Sequence, residues 1–308
     1  MSDFTHSPDL VVIGDTNLDL MLQVEHFPGP DDEVEAVATL SSAGGNAANI
    51  AVQAARLGLH AALISAIGDD EQGKSVIKAM QDRGVDLSAL RIIAGKATGL
   101  VVAIVRADGQ RAMIASRGAN TAIGFDETGK AMLEAARIVH VSDPTPEVVA
   151  SLPALIDSKP AALSLDPGSI GARKGVPTLR PLLQICRYLF VNQNELAALT
   201  GQDDPEQAVN VLFSLGIQTV FVKRGARGCR IYAQTLTLSI PAFPVQSVDA
   251  TGAGDAFDAA MLYAILREMP LEEAGRFANA VGAMATLELG AQSSQPDLAQ
   301  VNDFLTGK

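Results

Sequence analysis

A chain of 308 residues, 48% hydrophobic and 19% charged, holds enough apolar material for one large α/β domain or two average ones. Its net charge of -12 argues against nucleic-acid binding, which needs a basic footprint, and with no Trp and 3 Tyr it offers no aromatic platform for single strands. No apolar run is long enough to cross a bilayer, residues 1–8 carry no signal-peptide pattern, and Cys186 and Cys229 make no disulfide framework, so a reducing cytoplasm is the expected compartment.

In chain order, residues 10–13 form a buried-strand candidate that runs into Gly14-Asp15-Thr16-Asn17. Strands at 18–24 and 33–40 follow, separated by the turn-rich stretch 26–32. Ser42-Ala43-Gly44-Gly45-Asn46 opens a helix to about residue 57, closed by Gly58. A strand at 61–67 and a helix at 72–83 come next. Between them, Gly68-Asp69-Asp70-Glu71-Gln72-Gly73-Lys74-Ser75 fits the P-loop pattern. Three successive carboxylates would oppose the phosphates such a loop must cradle, so the stretch reads instead as a strand-to-helix turn whose acids favour the helix N-terminus.

Strands at 98–105 and 111–116 flank Ala107-Asp108-Gly109-Gln110, a hairpin signal. Helices at 131–137, 147–156, 195–199 and 205–215 alternate with strands at 138–141, 162–165, 188–191 and 219–223. A strand at 236–240 precedes helices at 256–266 and 271–289, and a short helix at 297–304 ends the chain. This alternation predicts an α/β fold: a doubly wound, mostly parallel sheet with helices on both faces. The strand pairs within 18–40 and 98–116 lack crossover helices, so they would form a small separate sheet beside a single α/β domain. His6, His26, His60 and His140 are scattered and sit at no zinc spacing with Cys.

One stretch carries more chemistry than its neighbours: Asp249-Ala250-Thr251-Gly252-Ala253-Gly254-Asp255. It feeds a helix N-terminus, where free N–H groups and the positive end of the helix dipole suit an anion. Asp255 is out of place beside a bound anion unless it takes a proton from the group that attacks that anion. The same stretch also reads as a plain Gly-rich turn with an Asp at a helix start.

Two further motifs, Gly44-Gly45-Asn46-Ala47-Ala48-Asn49 and Asn192-Gln193-Asn194-Glu195, precede it. In this order and spacing the three resemble the signatures of the ribokinase-like (PfkB) carbohydrate kinase family, with Ala250 where that family usually has Thr. The family's G-x-D-x-x-G turn is matched by Gly68, Asp70 and Gly73. The resemblance implies transfer of the ATP γ-phosphoryl group to a hydroxyl of a sugar of the ribose, fructose or 2-keto-3-deoxygluconate type. A nucleoside kinase of the same family, or a catalytically silent sugar or nucleotide sensor on the same fold, are the alternatives. A dehydrogenase is disfavoured because no G-x-G-x-x-G follows the first strand.

On that resemblance Asp255 is the catalytic base, and the N–H groups of the Gly252, Ala253 and Gly254 turn, with that of Asp255, form the anion hole. Asn17, Asp19, Gly45, Asn46 and Asn49 would contact the sugar, with Asp143 where ribokinases proper carry a Glu. Asn192 and Glu195 would hold Mg²⁺ through its waters; alone, they read as a strand end and a helix cap. Lys223, Gly225 and Gly228 fall on the nucleotide-contacting turn, although the family often has Thr or Ser at the Lys223 position, and Asn279 would sit near the adenine. Asp249, Thr251, Ala285, Glu288, Gly290 and Ser294 fall at the positions of a K⁺ site in potassium-activated members. The small sheet would be a lid over the sugar and a surface for a homodimer.

Overall fold

Seven parallel or antiparallel partners extend a wholly buried first strand into one wide sheet. The computed structural model describes residues 7–106, 108, 110–156 and 161–307. The N-terminal half runs β1 (Leu10–Ile13), β2 (Asn17–Val24), β3 (Ala38–Gly44), α1 (Asn46–Arg56), β4 (Ala61–Ile64), β5 (Ala66–Gly68), α2 (Glu71–Gln81), β6 (Arg91–Ile93), β7 (Gly99–Arg106), β8 (Arg111–Ser116), α3 (Glu127–Ala135), β9 (Ile138–Ser142) and α4 (Pro146–Ile156). The remainder runs β10 (Ala162–Asp166), α5 (Gly168–Leu183), β11 (Cys186–Asn192), α6 (Gln193–Thr200), α7 (Pro205–Ser214), β12 (Thr219–Lys223), β13 (Cys229–Ala233), β14 (Leu236–Ile240), α8 (Ala253–Leu266), α9 (Leu271–Met284) and α10 (Leu298–Thr306).

The main sheet has the order β14-β13-β12-β11-β10-β9-β1-β4, parallel except for the β12-β13-β14 edge. Its inner strands are continuous apolar runs because helices cover both faces. One core lies under α1, α2, α8, α9 and α10, the other under α3 to α7. A second sheet, β3-β2-β7-β8, stands apart, with β2 and β7 parallel and both outer pairs antiparallel. Among the described residues no helix is long and apolar enough to cross a membrane. Cys186 and Cys229 are both free and buried.

Several boundaries differ from the sequence expectation, each for a physical reason. The strand expected at 33–40 is Ala38–Gly44, because its partner β2 pairs from Asn17 opposite Gly44 to Gln23 opposite Ala38. The strand expected at 61–67 breaks at Ser65, whose hydroxyl donates to the Gly14 carbonyl and accepts from Thr16. The helix expected at 131–137 begins at Glu127, capped by Asp126. The helix expected to reach 289 stops at Met284, after which Thr286 turns the chain back by holding Val248 and Asp249. Unforeseen α5 spans a kink at Gly175 and contains Pro177 and Pro181, residues that hide a helix from propensity reasoning. The P-loop-like stretch is the capped turn it reads as: Asp70 accepts from Gly73 N and from Thr98, and α2 follows. Strands β7 and β8 do pair antiparallel; Ala107 and Gly109 of their turn, together with residues 1–6 and His6 among them, lie outside the described residues. His140 is a buried packing residue edge-on to Phe190, and burial drops its imidazole to about 4.

The parallel strands β1, β9, β10, β11 and β12 all run the same way, so their carboxyl ends share one rim. Gly14, Asp143, Asp166, Asn192 and Lys223 stand at or just past those ends. In open α/β sheets ligands bind outside this rim.

Candidate active site

Gly252 is the N-cap of α8 in the left-handed region (φ 75), and no side chain caps the helix. A Cβ at Gly252 would lie 2.6 Å from the Ala291 carbonyl oxygen, so only glycine fits this turn. The Ala253 N–H donates to the Ala250 carbonyl at 3.3 Å, inside the loop. Gly254 and Asp255 lie in the first turn, where no helical carbonyl stands four residues back, which leaves their N–H groups able to meet an anion.

Asp255 is buried beside them. Its Oδ2 accepts from Asn49 Nδ2 at 2.8 Å. Burial pushes its carboxyl up to about 7; the Asn49 bond and Lys223 pull against that shift, and Asp166 and Asp19 add to it. A carboxyl that titrates near neutrality in a buried site is suited to take a proton.

Asp19, on β2, reaches toward the same space. Burial lifts its carboxyl to about 6, and its Oδ1 is buried without a partner. An unpaired buried carboxylate oxygen is costly unless a ligand donates to it. The Asp19 carboxylate lies against Gly44, where any Cβ would collide with it. Asn17 is fixed by Asn120, whose Nδ2 donates to Asn17 Oδ1 at 2.7 Å and whose Oδ1 accepts from Thr16 N. Gly45 caps α1 and delivers Asn46, whose Nδ2 donates to Asp143 Oδ2 at 2.6 Å. Asp143 itself has φ 48, rare for a residue with a side chain, and burial raises it well above the usual carboxylate range. Asp15 and Arg117, 3.4 Å apart, flank this group. The structure therefore gathers Asn17, Asp19, Asn46, Asn49, Asp143 and Asp255 at the rim, rich in acceptors for hydroxyl groups.

Lys223 follows a different course from the one expected. Its ammonium contacts Asp166 Oδ2 at 2.7 Å and both oxygens of Asp258, at 3.0 and 2.9 Å. It stands 3.5 Å from where a Cβ on Gly254 would lie, directly under the anion turn. Burial opposes its charge, but the two carboxylates outweigh that and raise its pKa. Burial works against the Asp166 charge, but Lys223 beside it holds its carboxyl below the usual range, while burial raises Asp258 above it.

Asn192 and Glu195 form a capping box on α6: Asn192 Oδ1 accepts from Asn194 N and Glu195 N, and Glu195 Oε2 accepts from Asn192 N at 2.8 Å. Glu195 Oε1 also accepts from Ser169.

A model described as the pfkB family carbohydrate kinase matches residues 7–298. The chain belongs to the PfkB carbohydrate kinase family. Similar proteins include an ATP-dependent ribose-1-phosphate kinase of Halopiger xanaduensis, 33% identical over 293 residues that cover 95% of this chain and 96% of that one. The fructokinase-1 of Zea mays is 34% identical over 288 residues, 87% of this chain and 89% of its own. The structure of Arabidopsis thaliana ribokinase complexed with ribose and ATP matches with a TM-score of 0.89 at 30% identity, covering 97% of this chain and 99% of that one. This PfkB protein is an ATP-dependent sugar kinase.

The PfkB kinase's remaining predicted residues fall in two places. Gly225 and Gly228 shape the turn between β12 and β13, while Asn279 donates to the carbonyls of Ile240 and Pro241 at 3.1 and 3.0 Å. Behind the anion turn, Asp249 accepts from Thr251 N and Oγ1 through one oxygen and from Gly290 N through the other. Ser294 donates to the Ala285 carbonyl at 2.9 Å, and Glu288 is exposed. Asp166 and Asp258 escaped the sequence reading, although Asp258 is the one charged residue in Ala256-Phe257-Asp258-Ala259-Ala260-Met261-Leu262, a lone acid on an apolar helix that must find a partner.

Proposed function

We propose that Asp255 accepts the proton of a sugar hydroxyl while that hydroxyl attacks the γ-phosphoryl group of ATP, with the free N–H groups of Gly254 and Asp255 taking up the phosphoryl charge. The observation that carries this reading is the Asp255 carboxyl, buried at the uncapped N-terminus of α8 and titrating near 7. Positioning and electrostatics are most of what phosphoryl transfer asks of a protein. Asp19, Asn17, Asn46, Asn49 and Asp143 supply acceptors and donors for the remaining hydroxyls, Gly45 turns Asn46 toward them, and the unpartnered Asp19 Oδ1 is the strongest single support for a polyhydroxylated acceptor.

The acids near Lys223 fit a hydrated divalent cation: Glu195, Asp166 and Asp258 all act on one ammonium, so this end of the site keeps a negative surplus. Glu195 and Asn192 would hold the waters of Mg²⁺, which supplies charge neutralisation for the phosphates when bound. Lys223, committed to two carboxylates, supports the turn from below rather than reaching the nucleotide; Gly225, Gly228 and Asn279 line the side left for the base and ribose of ATP. The oxygen-rich loop formed by Asp249, Thr251, Ala285, Gly290 and Ser294 suits a monovalent cation such as K⁺, with Glu288 contributing through its backbone.

The small sheet acts as a lid. Arg111 of β8 already reaches Thr251 at 3.1 Å, linking that sheet to the anion loop, and closure over the acceptor would exclude water. Met113 and Ile114 on β8 and Leu40 on β3 are exposed, which supports a homodimer through this sheet. Arg117 favours a second reading of the acceptor, a sugar that carries a phosphate: it is a cation that pairs with Asp15 and acts on Asp143 beside the proposed acceptor contacts. An ADP-release assay over ribose, fructose, 2-keto-3-deoxygluconate, ribose 1-phosphate and nucleosides, with and without K⁺, tests the function. ADP release with none of them above background would overturn it in favour of a sensor.

A further inference from the structure

Asp255 is connected to the protein surface by a line of three side chains. Arg83, just beyond the C-terminus of α2, donates from Nη1 to Gln292 Oε1 at 2.6 Å. Gln292 Nε2 donates to Asn49 Oδ1 at 2.9 Å. Asn49 Nδ2 donates to Asp255 Oδ2 at 2.8 Å. Gln292, Asn49 and Asp255 are all buried, and Gln295 pins the Asn49 backbone by donating to its carbonyl at 2.9 Å. These residues come from α1, the turn after α2, α8 and the loop before α10, four separate parts of the chain.

The direction of this line is set by its ends. A guanidinium can only donate, and an ionised carboxylate can only accept. Two primary amides between them satisfy both ends in one way: each turns its oxygen toward Arg83 and its nitrogen toward Asp255. If Gln292 turns over, its oxygen faces Asn49, which must then turn over to donate. Asn49 would present Oδ1 to Asp255, an arrangement that suits the protonated acid.

We propose that Arg83 and Gln292 are positioning residues, which fix the orientation of the Asn49 amide so that its donor end faces Asp255 and favours the carboxylate form. The catalytic use of that carboxylate rests on the base role given to Asp255 above; the orientation itself does not. The charged groups that face Asp255 are Lys223 from β12, Asp166 from β10 and Asp19 from β2, with Asp143 beyond them past β9. All stay in place when Arg83 or Gln292 is changed. Arg83 is faced by Arg56 at the end of α1, and burial together with that neighbour lowers its pKa without neutralising it.

The test follows the titration of Asp255 directly, through the ¹³C carboxyl signal that Asp255→Asn removes. It compares wild type with Arg83→Lys, Arg83→Met and Gln292→Glu. Arg83→Lys keeps a donor-only group and should titrate as wild type. Arg83→Met, a change at a partly exposed site, should move the midpoint up by about half a unit or more. Gln292→Glu should move it further, because its carboxylate draws the Asn49 nitrogen away from Asp255. If the midpoint stays within about 0.3 unit of wild type in Arg83→Met, the relay is overturned, whether or not Gln292→Glu folds. The acid limb of kcat/KM should follow the midpoint. A midpoint that moves while the rate limb stays put supports the relay and removes Asp255 from the role of base.

Discussion

Lys223 grips Asp258 with its ammonium 3.0 and 2.9 Å from the two carboxylate oxygens. One residue ends β12 and the other sits a turn into α8, so this contact fastens the helix that bears Asp255 to the rim of the sheet. Removing one partner of a buried pair leaves the other without compensation. Lys223→Met should therefore destabilise the fold by about 3–5 kcal/mol in denaturant unfolding. Asp258→Asn should cost less than about 1.5 kcal/mol, since Asp166 still faces the ammonium and an amide can make similar contacts. Equal losses in the two variants would mean that Asp166 alone does not compensate the Lys223 ammonium.

Asp255→Asn tests the base. The variant should lose a factor of ~10² or more in kcat while the KM for ATP changes little. Turnover near the wild-type level would remove Asp255 from that role.

The same substitution should stabilise the ligand-free protein, in a pH-dependent way. The Asp255 carboxyl titrates near 7 in the fold, against 3.8 for a free aspartate side chain. The contribution of such a raised group is fully present below the unfolded value and fades as pH climbs through the folded one. Asp255→Asn does not titrate, so its advantage over wild type should be absent near pH 4, grow to about pH 7 and level off there. Roughly 4 kcal/mol is the scale expected of a shift this large. Thermal unfolding from pH 4 to 8.5 measures it, and a gap that shrinks with rising pH would contradict the assignment. Asp19 shifts in the same direction, to about 6, and Asp19→Asn should show a smaller gap over a lower window.

Gly44→Ala probes the acceptor pocket without replacing a polar side chain. A Cβ there would occupy the place of the Asp19 carboxylate. The acceptor KM should rise by about tenfold, the size of losing one well-placed hydrogen bond to a charged group, with the ATP KM nearly constant. Asp19→Ala should give at least the same split. Parallel rises in both KM values would point to a general disturbance of the fold.

The sequence carried the main strands because each is a short apolar run, and it carried the anion turn because glycines and an acid before a helix have few other uses. The motif positions meet at one rim in the fold, as their family resemblance implies. Other features depend on distant partners. Asp166 looks like an ordinary strand end before Pro167-Gly168, and nothing near Arg83 or Gln292 in the chain hints at Asp255. The length of β3 is set by β2 across the small sheet, not by its own alternation. Lys223 shows the limit most clearly: a lysine beside a glycine turn suggests phosphate, and two carboxylates from β10 and α8 had claimed it.

The chain passes from the main sheet to the small one at Gly14 to Asn17, and returns at Gly44 to Asn46. These two crossings also carry Asn17 and Asn46, with Asp19 close by on β2. The proposed acceptor contacts and the connections between the sheets are thus made of the same short segments. A ligand held by these side chains would bridge the two sheets where the chain joins them, and a change in those segments would alter how tightly the ligand is held. On the lid reading proposed above, affinity for the acceptor and closure over it would depend on the same few residues.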